Sequence, residues 1–177
     1  MKLVILDRDG TINHDSDQHI KSPAEWRPIE GSLEAIARLV QAGFRIVVAT
    51  NQSGIARGLL DTATLISIHD ALQRAAVQAG GRIDAFFFCP HAADSACECR
   101  KPAPGMLLEV ARRFNVSLHN TYMVGDALRD VQAAAAAGAR PVLVLSGRGR
   151  KTRDEGGLPP GTAVFENLAG FAEHLAP

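Results

Sequence analysis

Leu3-Val4-Ile5-Leu6-Asp7-Arg8-Asp9-Gly10-Thr11 is an apolar run that stops abruptly at two carboxylates. Four aliphatic residues in succession read as a buried strand, and Gly10 gives that strand a tight exit. Asp7 and Asp9 then stand at its carboxyl end, on the same side of an extended chain. Carboxylates held this close repel each other unless a cation sits nearby or one is protonated. The string points to a divalent metal, to an acid/base pair, or to both. An Asp-rich turn closing a strand explains it equally well, so the rest of the chain must decide.

Outward from this strand, similar apolar runs recur at Arg45–Ala49, Ile83–Phe88, Tyr122–Val124 and Pro141–Leu145, with Val164–Phe165 as a short edge. Helical patterns separate them. Ser32–Ala42 carries Leu33, Ile36, Ala37, Leu39 and Val40 on one face and ends at Gly43. Asp61–Ala79 opens on an N-cap residue and ends at Gly80-Gly81. Pro104–Phe114 starts with proline, Ala127–Ala137 is alanine-rich, and Leu168–Leu175 closes the chain. Strand–helix alternation of this kind predicts an α/β fold, a doubly wound, mostly parallel sheet with helices on both faces. Asp15–Arg27 reads as a non-helical excursion after the first strand, and Ser146–Gly161 as a surface loop. The segment before the first helix is too short for a lid domain, so residues 1–177 are expected to form a single domain.

Bulk properties exclude several classes of function. The 177 residues carry 19 Lys+Arg and 19 Asp+Glu, a formal net charge of zero. Nothing in that balance recommends nucleic acid as a partner. No stretch is apolar for long enough to span a bilayer, and the N-terminus carries a polar motif where a signal peptide would be cut away. A cytoplasmic monomer acting on a small molecule is the expectation.

In a doubly wound sheet, ligands bind at the carboxyl ends of the strands, and the chain places a polar station at four of them. Asp7 and Asp9 follow the first strand, Thr50-Asn51-Gln52-Ser53-Gly54 the second, and Gly125-Asp126 with Asp130 the fourth. Arg100-Lys101 ends the loop after the third. Singly, each has a bland reading as a turn, a cap or a surface charge; four such readings at equivalent places are improbable together. The residue types suit phosphoryl transfer. Asp7 can attack covalently, and Asp9 can protonate a leaving alkoxide and later deprotonate water. Asp126 adds charge for a hard cation such as Mg²⁺. Thr50, Asn51, Ser53 and Lys101 can stabilise charge on phosphoryl oxygens. The chain has no Gly-x-x-x-x-Gly-Lys loop, against a nucleotide-driven kinase.

Asp7-Arg8-Asp9-Gly10-Thr11, Thr50, Lys101 and Gly125-Asp126…Asp130 resemble the four motifs of the haloacid dehalogenase superfamily, phosphatase branch. The resemblance implies that Asp7 is the nucleophile and Asp9 the general acid/base. It implies Mg²⁺ on Asp7, the Asp9 backbone carbonyl and Asp126, with Lys101 and Thr50 steadying the transferred phosphoryl group. The longer strings Asp7–Asn13, Thr50–Gly58 and Arg100–Leu108 look like D-glycero-D-manno-heptose 1,7-bisphosphate 7-phosphatases of bacterial heptose and lipopolysaccharide precursor synthesis. The implied substrate is a small sugar bisphosphate. Its contacts would be Asn51, Gln52 and Ser53, Arg100 at the distal phosphate or sugar, and Asp15, Ser16, Asp17 and Gln18 in the loop after the first strand. A histidinol-phosphate phosphatase is the neighbouring alternative, and a non-catalytic phosphosugar-binding module the remote one. One departure stands out: those heptose enzymes commonly carry lysine at the position of Ala127.

The three cysteines crowd into one loop, as Cys89-Pro90-His91 and Cys97-Glu98-Cys99. Three thiols and an imidazole suit a closed, structural Zn²⁺ site at about residues 89–99, and relatives with this loop bind zinc through these four positions. Reduced, unliganded cysteines and a strained Cys97–Cys99 disulfide are the alternatives. Zinc here would fix the segment that carries Arg100 and Lys101. The remaining histidines, His14, His19, His69, His119 and His174, are expected at the surface, and Trp26 is expected to pack the loop after the first strand.

Overall fold

A computed structural model describes residues 1–177. Its six strands are β1 (Lys2–Leu6), β2 (Phe44–Asn51), β3 (Ala85–Cys89), β4 (Tyr122–Gly125), β5 (Arg140–Val144) and β6 (Ala163–Phe165). They form one sheet in the order β3-β2-β1-β4-β5-β6, and every pairing is parallel. The helices are α1 (Ser32–Gln41), α2 (Thr62–Gln78), α3 (Gly105–Phe114), α4 (Leu128–Ala137), α5 (Gly149–Glu155) and α6 (Leu168–Leu175). The doubly wound sheet expected from the alternation is present.

β1 is central, which is why its apolar run is continuous rather than alternating. Val4 and Leu6 face a cluster with Ile46, Val48, Ile36, Leu39 and Phe171, under α1 and α6. Leu3 and Ile5 face the other way, onto Val47, Ala49, Leu107, Val110, Ala133 and Ala134, under α3 and α4. Strand order reverses at β1, between β2 and β4. The crevice beyond the carboxyl ends of β1 and β4 is therefore the switch point at which such sheets bind ligands.

The segment between β1 and α1 holds one short 3₁₀ turn, Pro23–Glu25, and no inserted domain. Trp26 is half-buried there against two apolar clusters, as expected. Helix α2 begins as its N-cap foretells, with the Asp61 carboxylate accepting from the Thr64 N–H at 2.7 Å. Strand β2 reaches Asn51, beyond the expected Ala49, because Asn51 pairs in register with Cys89 of β3. The expected surface loop Ser146–Gly161 needs correction, since it contains α5. This seven-residue helix is polar throughout and has no apolar period to announce it. No helix is long and apolar enough to cross a membrane.

Candidate active site

Where β1 ends, the Asp7 N–H donates to the Val124 carbonyl of β4 at 2.8 Å, tying the first carboxylate to the switch point. The Lys101 ammonium, 1% exposed, donates to Asp7 Oδ1 at 2.9 Å and to the Ala49 carbonyl at 2.8 Å. It also lies 2.7 Å from Asp130 Oδ1. Burial works to lower the pKa of Lys101, but Asp130 and Asp7 outweigh it and raise it. Its backbone is pinned by Asn51, whose Nδ2 donates to the Lys101 carbonyl and whose Oδ1 accepts from the Lys101 N–H, both at 3.0 Å. The Asn51 amide thus holds the lysine segment, a use different from the phosphoryl contact expected of it.

Asp9 is gripped by four donors. Arg8 donates through Nε at 2.8 Å and Nη2 at 3.1 Å, Asn13 Nδ2 at 2.9 Å, and Gln52 Nε2 at 3.1 Å. Gln52 also donates to Thr50 Oγ1 at 2.9 Å. Burial works to raise the Asp9 pKa, yet Arg8 with these hydrogen bonds leaves it below the usual carboxylate value. Arg8 itself is fully buried, and its Nη1 lies 3.4 Å from His69 Nε2. His69, expected at the surface, is in fact buried and stacked on Phe86 with centroids 4.4 Å apart. Burial first, then Arg8, pulls its pKa down to about 3. The periodicity of α2 did carry a signal that the sequence reading did not use: His69 falls at i+4 from Leu65, on the face that also buries Ile68, Leu72 and Ala76.

Asp126 is built in from two sides. Its Oδ2 accepts from the Arg148 N–H at 2.7 Å and its backbone carbonyl from Thr152 Oγ1 at 2.9 Å, one from the residue before α5 and the other from its middle. Gly10 (φ +82°) and Gly147 (φ +54°) crowd this carboxylate so closely that a Cβ at either would collide with it. Ala127 is buried, and its N–H donates to Asp130 Oδ2 at 3.0 Å. Asp130 therefore serves both the start of α4 and Lys101, a part that the sequence reading left open.

Carboxylate oxygens of Asp7, Asp126 and Asp130 lie within 4.8 Å of one another. Burial, then Asp130, pushes Asp7 up to about 6; burial, then Asp130 and Asp7, pushes Asp126 up to about 8. Asp126 Oδ1 is buried with no hydrogen-bond partner. An orphaned carboxylate oxygen inside such a crowd fits a hard divalent cation, which takes oxygen ligands and cancels the repulsion.

Beside these groups opens a cavity of about 270 Å³ lined by 14 residues, none hydrophobic. Asp7, Asp9, Thr50, Asn51, Gln52, Ser53 and Arg100 all face it, as do Asp15, Ser16 and Asp17; Gln18 does not. His19, Arg57, Arg129 and Arg148 also line it and were missed. The signal for Arg148 was available: it follows the fifth strand end, where the switch-point rule applies as well. Arg148 reaches 3.3 Å from Asp15 and 3.1 Å from Asp17, tying the substrate-facing loop to the segment that holds Asp126.

The cysteine loop folds its four candidate ligands together. Cys89 Sγ lies 3.7 Å from Cys97 Sγ, 3.2 Å from Cys99 Sγ and 3.4 Å from His91 Nδ1; Cys99 Sγ lies 3.3 Å from the same nitrogen. A tetrahedron with metal–sulfur bonds of about 2.3 Å has sulfur–sulfur edges of about 3.8 Å, close to this arrangement. The cysteines are free, so the Cys97–Cys99 disulfide is not formed. Burial and the two neighbouring thiols push Cys99 up to about 12; burial also works to raise Cys97, but hydrogen bonds, first from the Arg100 backbone, pull it down to about 6.

Aspartates at the switch point of a parallel sheet, backed by a buried lysine, define a hydrolase of the HAD-like class, and the HAD-hydrolase-like family model matches residues 98–171. Among curated proteins, the D-glycero-beta-D-manno-heptose-1,7-bisphosphate 7-phosphatase of Bordetella bronchiseptica is 60% identical, covering 99% of this chain and 98% of its own. The enzyme of that name from Neisseria meningitidis is 49% identical, over 99% and 95%. A crystal structure of D,D-heptose 1,7-bisphosphate phosphatase from B. bronchiseptica, complexed with magnesium and phosphate, superposes with a TM-score of 0.97 at 60% identity, over 99% and 98% of the two chains. The chain belongs to the family of these phosphatases, a branch of the HAD-like hydrolases.

Proposed function

We propose that this protein removes the 7-phosphate of D-glycero-beta-D-manno-heptose 1,7-bisphosphate, through a phosphoryl group carried on Asp7. The observation that carries this reading is the buried Asp7–Lys101–Asp130 cluster behind a wholly polar cavity that Asp7 and Asp9 line, in a chain 60% identical to a curated enzyme of that activity. Asp7 attacks phosphorus, and the P–O bond to the sugar breaks. Asp9 gives a proton to the departing alkoxide, then takes one from the water that attacks the aspartyl phosphate. Lys101 keeps Asp7 anionic and ready, while Thr50 and Ser53 donate to phosphoryl oxygens. Mg²⁺ held by Asp7, the Asp9 carbonyl and Asp126 supplies the positive charge that lets these carboxylates and a phosphate share one site. Asp15, Ser16 and Asp17 offer acceptors to sugar hydroxyls, and Gln18 joins them from the loop's outer side. Asn51 and Gln52 orient Lys101 and Asp9, and Arg100 faces the distal phosphate.

Cys89, His91, Cys97 and Cys99 would hold Zn²⁺, which would give structural support to Arg100 and Lys101, the residues that follow the loop directly. Thiols kept reduced suit a cytoplasmic enzyme. One continuous sheet suits a single-domain monomer that supplies heptose for lipopolysaccharide precursors. The test compares kcat/KM for both anomers of the heptose bisphosphate and for histidinol phosphate, at equal enzyme with Mg²⁺. The beta anomer is expected to be preferred. A higher value on histidinol phosphate overturns the reading, and no turnover even of 4-nitrophenyl phosphate would make the protein a binding module.

A further inference from the structure

Four arginines line the cavity, and three have evident partners or face solvent. Arg148 pairs with Asp15 and Asp17, Arg100 donates to the His91 carbonyl at 3.3 Å, and Arg57 is exposed on the rim. Arg129 is different. It is half-buried, and its Nε is buried with no hydrogen-bond partner. It is not among the residues that ion-pair in the structure, whereas Lys101 and Arg148 are.

Its place in the fold does not explain it either. Arg129 is the second residue of α4, and a cation at the positive end of a helix is disfavoured by the macrodipole. Burial also works against its charge, which Asp130, Asp7, Asp126 and Asp15 together sustain from a distance. Helix α4 follows β4, one of the two neighbours of β1, so Arg129 enters the cavity from the β4 flank. Arg57 and Arg100 come from segments after β2 and β3, on the other side of β1. An unsatisfied guanidinium lining the same polar cavity as Asp7, and reaching it from the opposite flank of β1 to Arg57 and Arg100, is a site for an anion, and its planar fork matches phosphoryl oxygens.

We propose that Arg129 is a catalytic residue of this phosphatase: its guanidinium donates to the non-bridging oxygens of the phosphoryl group transferred to Asp7. This deepens the function proposed above and rests on it for the reaction, though phosphate recognition is measurable by itself. The alternative is that Arg129 only balances the surrounding carboxylates.

The experiment measures inorganic phosphate binding by calorimetry in the Mg²⁺-loaded protein, for the wild type, Arg129→Ala and Arg129→Lys. Mg²⁺ affinity, thermal melting and kcat/KM on the heptose bisphosphate and on 4-nitrophenyl phosphate accompany it. Arg129→Ala is expected to weaken phosphate binding about 10- to 100-fold and to lower kcat/KM on both substrates at least as much. Arg129→Lys should recover part of each loss, since it restores charge without the fork. Phosphate affinity within about twofold of wild type overturns the proposal. So does tighter Mg²⁺ binding as the sole change, which is the charge-balance outcome. If Arg129→Ala melts below the assay temperature, Arg129→Gln is judged by the same criteria. A wild type that binds phosphate and hydrolyses the aryl ester but not the heptose bisphosphate contradicts the substrate reading alone, because the phosphate result stands apart from it.

Discussion

Lys101 shows how much of the site rests on one side chain. It is the buried cation between Asp7 and Asp130, and without it the two acids face each other uncompensated. Lys101→Met is expected to lower kcat/KM by about 10²- to 10³-fold or more, the range for losing one preorganised charge at a reacting group. Asp7→Asn should leave no turnover above roughly one part in 10⁴; appreciable residual activity would rule out the covalent route. Arg148→Ala frees the Asp15 and Asp17 carboxylates from their cation, and it should raise KM for the heptose bisphosphate by more than it lowers kcat. At this scale the clustering of the carboxylates proposed for catalysis was legible because each stands at a strand end, where a polar residue breaks an apolar run. The Arg8–His69 contact was not, because burial of His69 depends on Phe86, a residue of another element.

Helix α5 packs against Asp126, and the cysteine loop leads directly into Arg100 and Lys101. Helix α5 is too short and too polar to be read from its sequence, yet it delivers Thr152 and the Arg148 N–H to Asp126. Thr152→Val removes one buried hydrogen bond and should cost about 1 kcal/mol of stability, with weaker Mg²⁺ binding in calorimetry. Gly147→Ala places a methyl group on the Asp126 carboxylate in a left-handed backbone, so its effect on Mg²⁺ affinity should be larger. The cysteine loop was legible from its clustered thiols alone. With the zinc site proposed above, treatment with a chelator followed by Mg²⁺ only should lower activity by loosening Arg100 and Lys101. Full activity in protein shown by metal analysis to be zinc-free would contradict that role.

For the whole molecule, strand–helix alternation was enough to give a parallel sheet, because a strand buried on both faces has to be apolar throughout. Strand ends such as Asn51 lay beyond the apolar pattern, since they are set by pairing with a neighbour. Global stability also carries a signature of the buried histidine. His69 binds its proton near 6.5 when unfolded and only at about 3 when folded, so between those values the unfolded chain holds more protons. Stability therefore falls as pH drops through that window, by up to about 1.4 kcal/mol per pH unit from this group, and is unaffected by it above 6.5. Denaturant melts of the wild type and His69→Gln should differ in slope across that window alone. Which phosphate leaves is read most directly by ³¹P NMR of the heptose 1,7-bisphosphate during turnover. Loss of the C7 ester signal, with inorganic phosphate appearing and the anomeric phosphate intact, is the predicted result; loss of the anomeric phosphate instead would contradict it.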